Sequence, residues 1–200
     1  VGLGFVGLSI SSVLASKNYN VVGIDIDNQK CSDIRNGVLP LFEPDLENTL
    51  RIGLKKKLTV SNNFSLIKNC DIIFVAVGTP QKSNGAIELS MIKKATATIG
   101  QIIRKSKKNP IIFIKSTVIP GTAQNVILPI LEKKSGKKAD RGFGLISNPE
   151  FLQESNAIRD AKYPHAIVLG GKQSKYMKKA KMFFSKMHPN VPIVITNFQT

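Results

Sequence analysis

Gly2-Leu3-Gly4-Phe5-Val6-Gly7-Leu8, followed past a helix-like stretch by Val21-Val22-Gly23-Ile24-Asp25, decides the fold. The glycines stand as G-x-G-x-x-G, the spacing needed where a strand turns into a helix and a pyrophosphate must touch backbone that carries no Cβ. The helix that follows, with Leu8, Val13 and Leu14 as its apolar stripe, aims free N–H groups and the positive end of its dipole at those phosphates. Val21–Ile24 then reads as an apolar parallel strand closed by Asp25. An acid about 20 positions beyond the glycines is where a ribose 2′-hydroxyl is held. The candidate cofactor-binding residues here are therefore Gly2, Gly4, Phe5, Val6, Gly7 and Asp25. Asp27 is a rival for the ribose, although it also stands where a side chain would cap a helix starting near Asn28. The first strand of such a unit should precede Gly2 by several residues, and only Val1 of it is in the sequence. The reading is of residues 1–200 as one dinucleotide-binding domain lacking most of its first strand.

Beyond Asp27, helical and extended signals alternate, the pattern of a parallel sheet with crossover helices. Helices are expected over Asn28–Asn36, from Pro44 to about Leu54, over Phe64–Lys68, from a cap at Ser90 to about Lys105, over Thr122–Lys133 and over Ser174–Met187. Strands are expected at Leu58–Val60, Asp71–Val77, Pro110–Ile114, Phe143–Ser147, Ala166–Leu169 and Pro192–Thr196. Tyr176, Ala180, Phe183 and Met187 repeat at helical spacing and read as one core face. The fold class is α/β: a Rossmann-like, doubly wound, mostly parallel sheet with helices on both faces.

Ligands of an open parallel sheet bind beyond the carboxyl ends of its strands. Every suggestive polar cluster falls there: the glycine turn, Asp25, Gly78-Thr79-Pro80, Ser116-Thr117 and Asn148-Pro149-Glu150. Taken singly each is also an ordinary loop or cap sequence; their shared address points to one cleft. Glu150 and Glu154, four apart, would share a face if Pro149–Glu154 is helical, and two adjacent carboxylates repel, which raises one towards use as a base. Stabilisation of a helix N-terminus explains the same spacing equally well.

The chain carries 29 Lys and Arg against 13 Asp and Glu, a net charge of +16. That excess raises a nucleic-acid partner. The basic runs, however, are short, scattered from Lys55-Lys56-Lys57 to Lys178-Lys179, and not interleaved with aromatics, which reads as a solvated surface and no nucleic acid. No apolar run approaches the ~20 residues that cross a bilayer, so no membrane partner is expected. Cys31 and Cys70 have no metal-ligand spacing and read as packed thiols of a reducing compartment.

Four stretches together resemble the UDP-glucose/GDP-mannose dehydrogenase family, and within it the UDP-glucose branch: Gly2–Leu8, Val77–Pro80, Lys115-Ser116-Thr117-Val118-Ile119-Pro120-Gly121-Thr122, and Asn148-Pro149-Glu150-Phe151-Leu152-Gln153-Glu154. The resemblance implies a cytoplasmic, homo-oligomeric enzyme of polysaccharide biosynthesis that oxidises the C6 alcohol of UDP-glucose to UDP-glucuronate with two NAD. By motif position it implies that Gly2, Gly4, Gly7 and Asp25 hold NAD, with Gly78, Thr79 and Thr117 at its nicotinamide end. Thr117 would also position water or an oxyanion, Glu150 and Glu154 would move protons or activate water, and Phe151 and Leu152 would contact the sugar nucleotide. The family's nucleophilic cysteine, with its partner lysine and aspartate, belongs to motifs outside this sequence, as do a central helix and a C-terminal sugar-nucleotide domain. Ala166 departs from the family, which carries a basic residue there.

Three other functions compete. A related dehydrogenase of a UDP-N-acetylhexosamine or of GDP-mannose is separable by a panel of nucleotide sugars. A basic nucleic-acid-binding module predicts duplex binding that falls steeply with salt. A regulatory NAD sensor predicts binding of NAD without its reduction.

Overall fold

In the computed structural model, residues 1–199 are described. In chain order the elements are α1 Phe5–Ser16, β1 Val21–Ile24, α2 Asn28–Arg35, α3 Leu46–Lys56, β2 Leu58–Ser61, a 3-10 turn Phe64–Asn69, β3 Ile72–Val75, α4 Ser90–Arg104, β4 Ile111–Ile114, a π-helical turn Ala123–Ile127, α5 Leu128–Ser135, β5 Gly144–Ser147, α6 Ala157–Lys162, β6 Ile167–Gly170, α7 Lys175–Met187 and β7 Ile193–Thr196. They fall into two compact units: Val1–Phe64 with Phe151–Pro164, and Ser65–Glu150 with the chain from His165 onward.

The first unit pairs β1 with β2 in parallel, Val21 opposite Leu58. Its helix α1 buries Leu8, Val13, Leu14 and Ala15, and α3 buries Leu46 and Leu50. The two helices come close at Gly53, where a Cβ would stand 3.2 Å from that of Ala15. Asp27 caps α2, its Oδ1 accepting the Lys30 N–H at 3.0 Å. That donor is one of the helix's otherwise unpaired first-turn groups.

The second unit holds a five-stranded sheet in the order β3-β4-β5-β6-β7. Strands β3, β4 and β5 run parallel, Ile72 opposite Ile111 and Ile111 opposite Gly144. Strand β6 joins antiparallel through Ser147 and Gly170, and β7 runs parallel to β6. All four residues of β4 are buried. Successive side chains of a strand point to opposite faces. Ile111 and Phe113 pack with α7, so the burial of Ile112 and Ile114 means that the other face is covered as well, the hallmark of a parallel sheet between helices.

On α7 the buried face is Tyr176, Met177, Ala180 and Phe184. The expected stripe of Tyr176, Ala180, Phe183 and Met187 is thus half right: Phe183 is only partly buried, at the margin of the cluster. A globular helix buries a broad stripe, and here it turns towards the i+1 neighbours. Tyr176 lies against Gly144, where a Cβ would fall 2.5 Å from the tyrosine Cβ, so β5 needs a glycine there to admit the ring. Its hydroxyl donates to the Arg141 carbonyl at 3.1 Å.

Helix boundaries differ from the sequence reading at several places. The helix expected from Pro44 to about Leu54 begins only at Leu46, with Asp45 in the cap position, and ends at Lys56. Ser90 is the first residue of α4 and not its cap; Leu89 occupies the cap position, and Glu88 Oε1 accepts the Ser90 N–H at 2.7 Å. The helix expected over Thr122–Lys133 divides into the π-helical turn and α5. Pro129 has no N–H to offer a carbonyl four residues back, and a wider turn accommodates that gap. Among the described residues no helix is long and apolar enough to cross a membrane, and no cluster of three His, Cys, Asp or Glu could hold a metal ion.

Candidate functional site

In the first unit the glycine turn is pinned at both sides. Gly2 has φ +86°, a backbone conformation glycine adopts without strain, and its N–H donates to the Ile24 carbonyl at 2.8 Å. Leu3 is buried and its N–H donates to Asp25 Oδ2 at 2.8 Å. Gly4 then stands at the cap position of α1 with no side-chain hydrogen bond there and no acidic residue in the first turn. A Cβ placed on Gly4 meets nothing within 4 Å. The turn therefore faces open space from which the first N–H groups of a twelve-residue helix can be reached, a cradle that suits a diphosphate. Phe5 and Val6 are half-buried in this turn, and Gly7 is buried behind it.

Asp25 is 7% exposed, and both its oxygens are engaged: Oδ2 by Leu3 N–H and by Lys30 Nζ at 3.3 Å, Oδ1 by Asp27 N–H at 3.1 Å. Burial pushes its pKa up, but the two backbone donors and the Lys30 ammonium outweigh it and hold the carboxyl below its ordinary value. A carboxylate has about four acceptor positions, so these three donors leave one for a ribose hydroxyl. Asp27 Oδ1 serves as the α2 cap, the other role its position offered. Lys30, one turn into α2, escaped the sequence reading; a basic residue in a first helical turn has no chemical signature until its carboxylate partner is known.

In the second unit, the parallel alignment of β3, β4 and β5 brings Gly78-Thr79, Ser116-Thr117 and Asn148-Pro149-Glu150 to one edge of the sheet. Thr79 Oγ1 donates to the Thr117 carbonyl at 2.6 Å, and Ser116 Oγ to the Val77 carbonyl at 2.6 Å. These bonds tie the turns after β3 and β4 together. Asn148 is buried; its amide nitrogen donates to the Val168 carbonyl at 2.9 Å while Oδ1 has no partner among the described residues, an orphaned acceptor beside this edge. Lys115 Nζ donates to the Pro149 carbonyl at 3.2 Å. Burial lowers the Lys115 pKa to about 8, against an opposing pull from the Glu150 carboxylate.

The helix that would have placed Glu150 and Glu154 on one face does not form. Residues 149–153 have no regular structure, 154–156 form a turn, and α6 begins only at Ala157. Glu150 belongs to the second unit and Phe151, Leu152 and Glu154 to the first. Carboxylates from elsewhere take backbone N–H groups within this stretch and just beyond it. Asp160 Oδ2 accepts Gln153 N–H at 2.9 Å, while Glu43 accepts Ser155 N–H at 3.0 Å and Ala157 N–H at 2.8 Å. Phe151 and Glu154 are exposed and Leu152 half-buried. Cys31 and Cys70 donate weakly to the carbonyls of Asp25 and Leu66, both at 3.7 Å, and burial pushes both thiols up in pKa, the opposite of what activates a cysteine nucleophile.

Residues 1–188 match the sequence profile described as the UDP-glucose/GDP-mannose dehydrogenase family, NAD binding domain. A GDP-mannose 6-dehydrogenase of Pseudomonas syringae is 43% identical over 171 residues, 84% of this chain and 39% of that protein. The UDP-glucose 6-dehydrogenase AglM of Haloferax volcanii is 32% identical over 199 residues, 98% of this chain and 46% of that protein. Among solved structures, a ternary complex of GDP-mannose dehydrogenase from Pseudomonas aeruginosa superposes with a TM-score of 0.93 at 34% identity, covering 99% of this chain and 45% of the other. The chain thus spans less than half the length of these relatives.

Proposed function

The chain belongs to the UDP-glucose/GDP-mannose dehydrogenase family, as its NAD-binding domain, and from that premise we propose that the enzyme oxidises the C6 alcohol of a nucleotide hexose, GDP-mannose or UDP-glucose, to the carboxylate. The observation that carries the cofactor half is the open space above Gly4, bounded by the Asp25 carboxylate that fastens the turn. NAD⁺ supplies a hydride acceptor; taking a primary alcohol to a carboxylate removes two hydrides, consumes two NAD⁺ and one water, and releases three protons.

The chain's own residues bind, orient and move protons. Gly2, Gly4 and Gly7 let the diphosphate approach the backbone at the α1 N-terminus. Asp25 accepts from the adenosine ribose, and Lys30 keeps that carboxylate charged. Thr117 and Glu150 stand at the sheet edge where parallel α/β folds place their chemistry, with Thr79 and Lys115 anchoring the backbone beside them. Glu150 takes a proton or activates the water, and Phe151, Leu152 and Glu154 meet the sugar nucleotide.

A carboxylate at position 25 repels a 2′-phosphate. Asp25→Asn keeps the size and one oxygen for the Leu3 N–H but removes the charge. Calorimetric titration is expected to give NAD⁺ binding about 10-fold weaker and a narrower gap between NAD⁺ and NADP⁺; an unchanged NAD⁺ affinity rejects Asp25 as the ribose ligand. Substrate choice is tested by turnover of the full-length enzyme with GDP-mannose and with UDP-glucose. GDP-mannose is the first to try, because the relative named for it is 43% identical against 32%. One sugar is expected to exceed the other in kcat/KM by at least ~100-fold, the discrimination a site gains when it hydrogen-bonds groups the wrong ligand lacks. Reduction of NAD⁺ with neither would turn the reading towards other nucleotide sugars or an NAD sensor.

A further inference from the structure

We propose that Glu43 is a positioning residue for the nucleotide sugar: from the loop before α3 it clamps the Phe151–Ser155 turn in its working shape. The inference rests on the dehydrogenase reading, since it assigns this turn to the sugar nucleotide. Glu43 is 4% exposed. A carboxylate that deeply buried is costly unless its oxygens are satisfied, and Glu43 spends both on backbone N–H groups more than a hundred positions away: Oε2 accepts from Ser155 at 3.0 Å and Oε1 from Ala157 at 2.8 Å.

The turn it holds would not keep this shape by itself. Ser155 has φ +68°, a left-handed conformation that serine seldom adopts and that persists only where the surroundings impose it. The α6 cap residue, Asn156, makes no side-chain capping bond, so Glu43 replaces the missing cap from outside. The chain on either side is tied as well, Gln153 N–H to Asp160 and Lys162 Nζ to Thr49 Oγ1 of α3 at 3.3 Å. The exposed Phe151 and Glu154 are thereby carried on a backbone whose geometry is dictated by a residue of another segment. Strain imposed by a buried charge at a turn of exposed side chains is the arrangement of a ligand-contacting loop that must be preorganised.

The test is steady-state kinetics of the full-length enzyme, with whichever of GDP-mannose and UDP-glucose the wild type oxidises. Glu43→Gln keeps the volume but sets an NH₂ against one of the two backbone donors. The expected result is a KM for the nucleotide sugar raised about 10-fold or more, the usual effect of a lost supporting contact, with the KM for NAD⁺ within about twofold. Equal changes in both, or none, overturn the clamp. As a second measurement that needs no variant, hydrogen exchange on the wild type should show the Ser155 and Ala157 amides slowed about 10-fold by the nucleotide sugar and unmoved by NAD⁺ alone; amides blind to the sugar overturn the proposal too. A wild type that oxidises neither sugar removes the GDP-mannose or UDP-glucose reading beneath it, an outcome distinct from normal turnover with an unaffected Glu43→Gln.

Discussion

Gly4→Val should lose NAD⁺ binding by at least ~100-fold, nearly 3 kcal/mol, while the protein stays folded. These two expectations are independent. Gly4 has φ −79° and a Cβ there meets no atom within 4 Å, so neither the backbone nor the packing resists a side chain. Replacing glycine at a helix cap position costs about 1 kcal/mol, and for a chain of this size that lowers the melting temperature by about 2–4 °C. The valine methyls would instead fill the space that a diphosphate needs above the α1 N–H groups. Calorimetry with NAD⁺, beside a thermal melt, separates the two effects. Wild-type affinity in a folded Gly4→Val variant would mean that the glycine turn serves only the chain.

Phe113→Ala is the substitution expected to cost the most stability. Phe113 is fully buried at the centre of β4. Its ring stacks on Phe74 at 5.0 Å and meets Phe184 edge-on at 5.4 Å, joining β3, β4 and α7 in one aromatic group. Truncation forfeits the transfer free energy of the ring and leaves a cavity that rigid strands cannot close. A loss of about 3–5 kcal/mol is expected, or a melting temperature lower by on the order of 10 °C. Since the ring has neighbours on both strand and helix, a much smaller drop would show that α7 can settle into the space and that this core is less constrained than its contacts imply.

The glycine spacing, the apolar strands and the acid at Asp25 were legible because each rests on a local rule. A diphosphate needs backbone without Cβ, a doubly covered strand needs consecutive apolar residues, and Asp27 caps the helix it precedes. The parallel run of β3, β4 and β5 also follows from the alternation of helix and strand. The rule of spacing failed at Glu150 and Glu154. Four-residue separation brings side chains together only on a helix, and Pro149–Glu154 is not helical: Asp160 takes the Gln153 N–H that a helix would give to the Pro149 carbonyl.

The amino-acid sequence by itself determined the α/β class, the glycine turn before α1, the sheet edge where Thr79, Thr117 and Glu150 stand, and the family. The tertiary structure alone decided which partner each charged side chain meets. Lys30 on Asp25, Lys115 on the Pro149 carbonyl and Glu43 on Ser155 and Ala157 are pairings between segments distant in sequence or across a bend. Local propensity is written in neighbouring residues, whereas the partner of a buried charge depends on which donors the packed chain delivers to it.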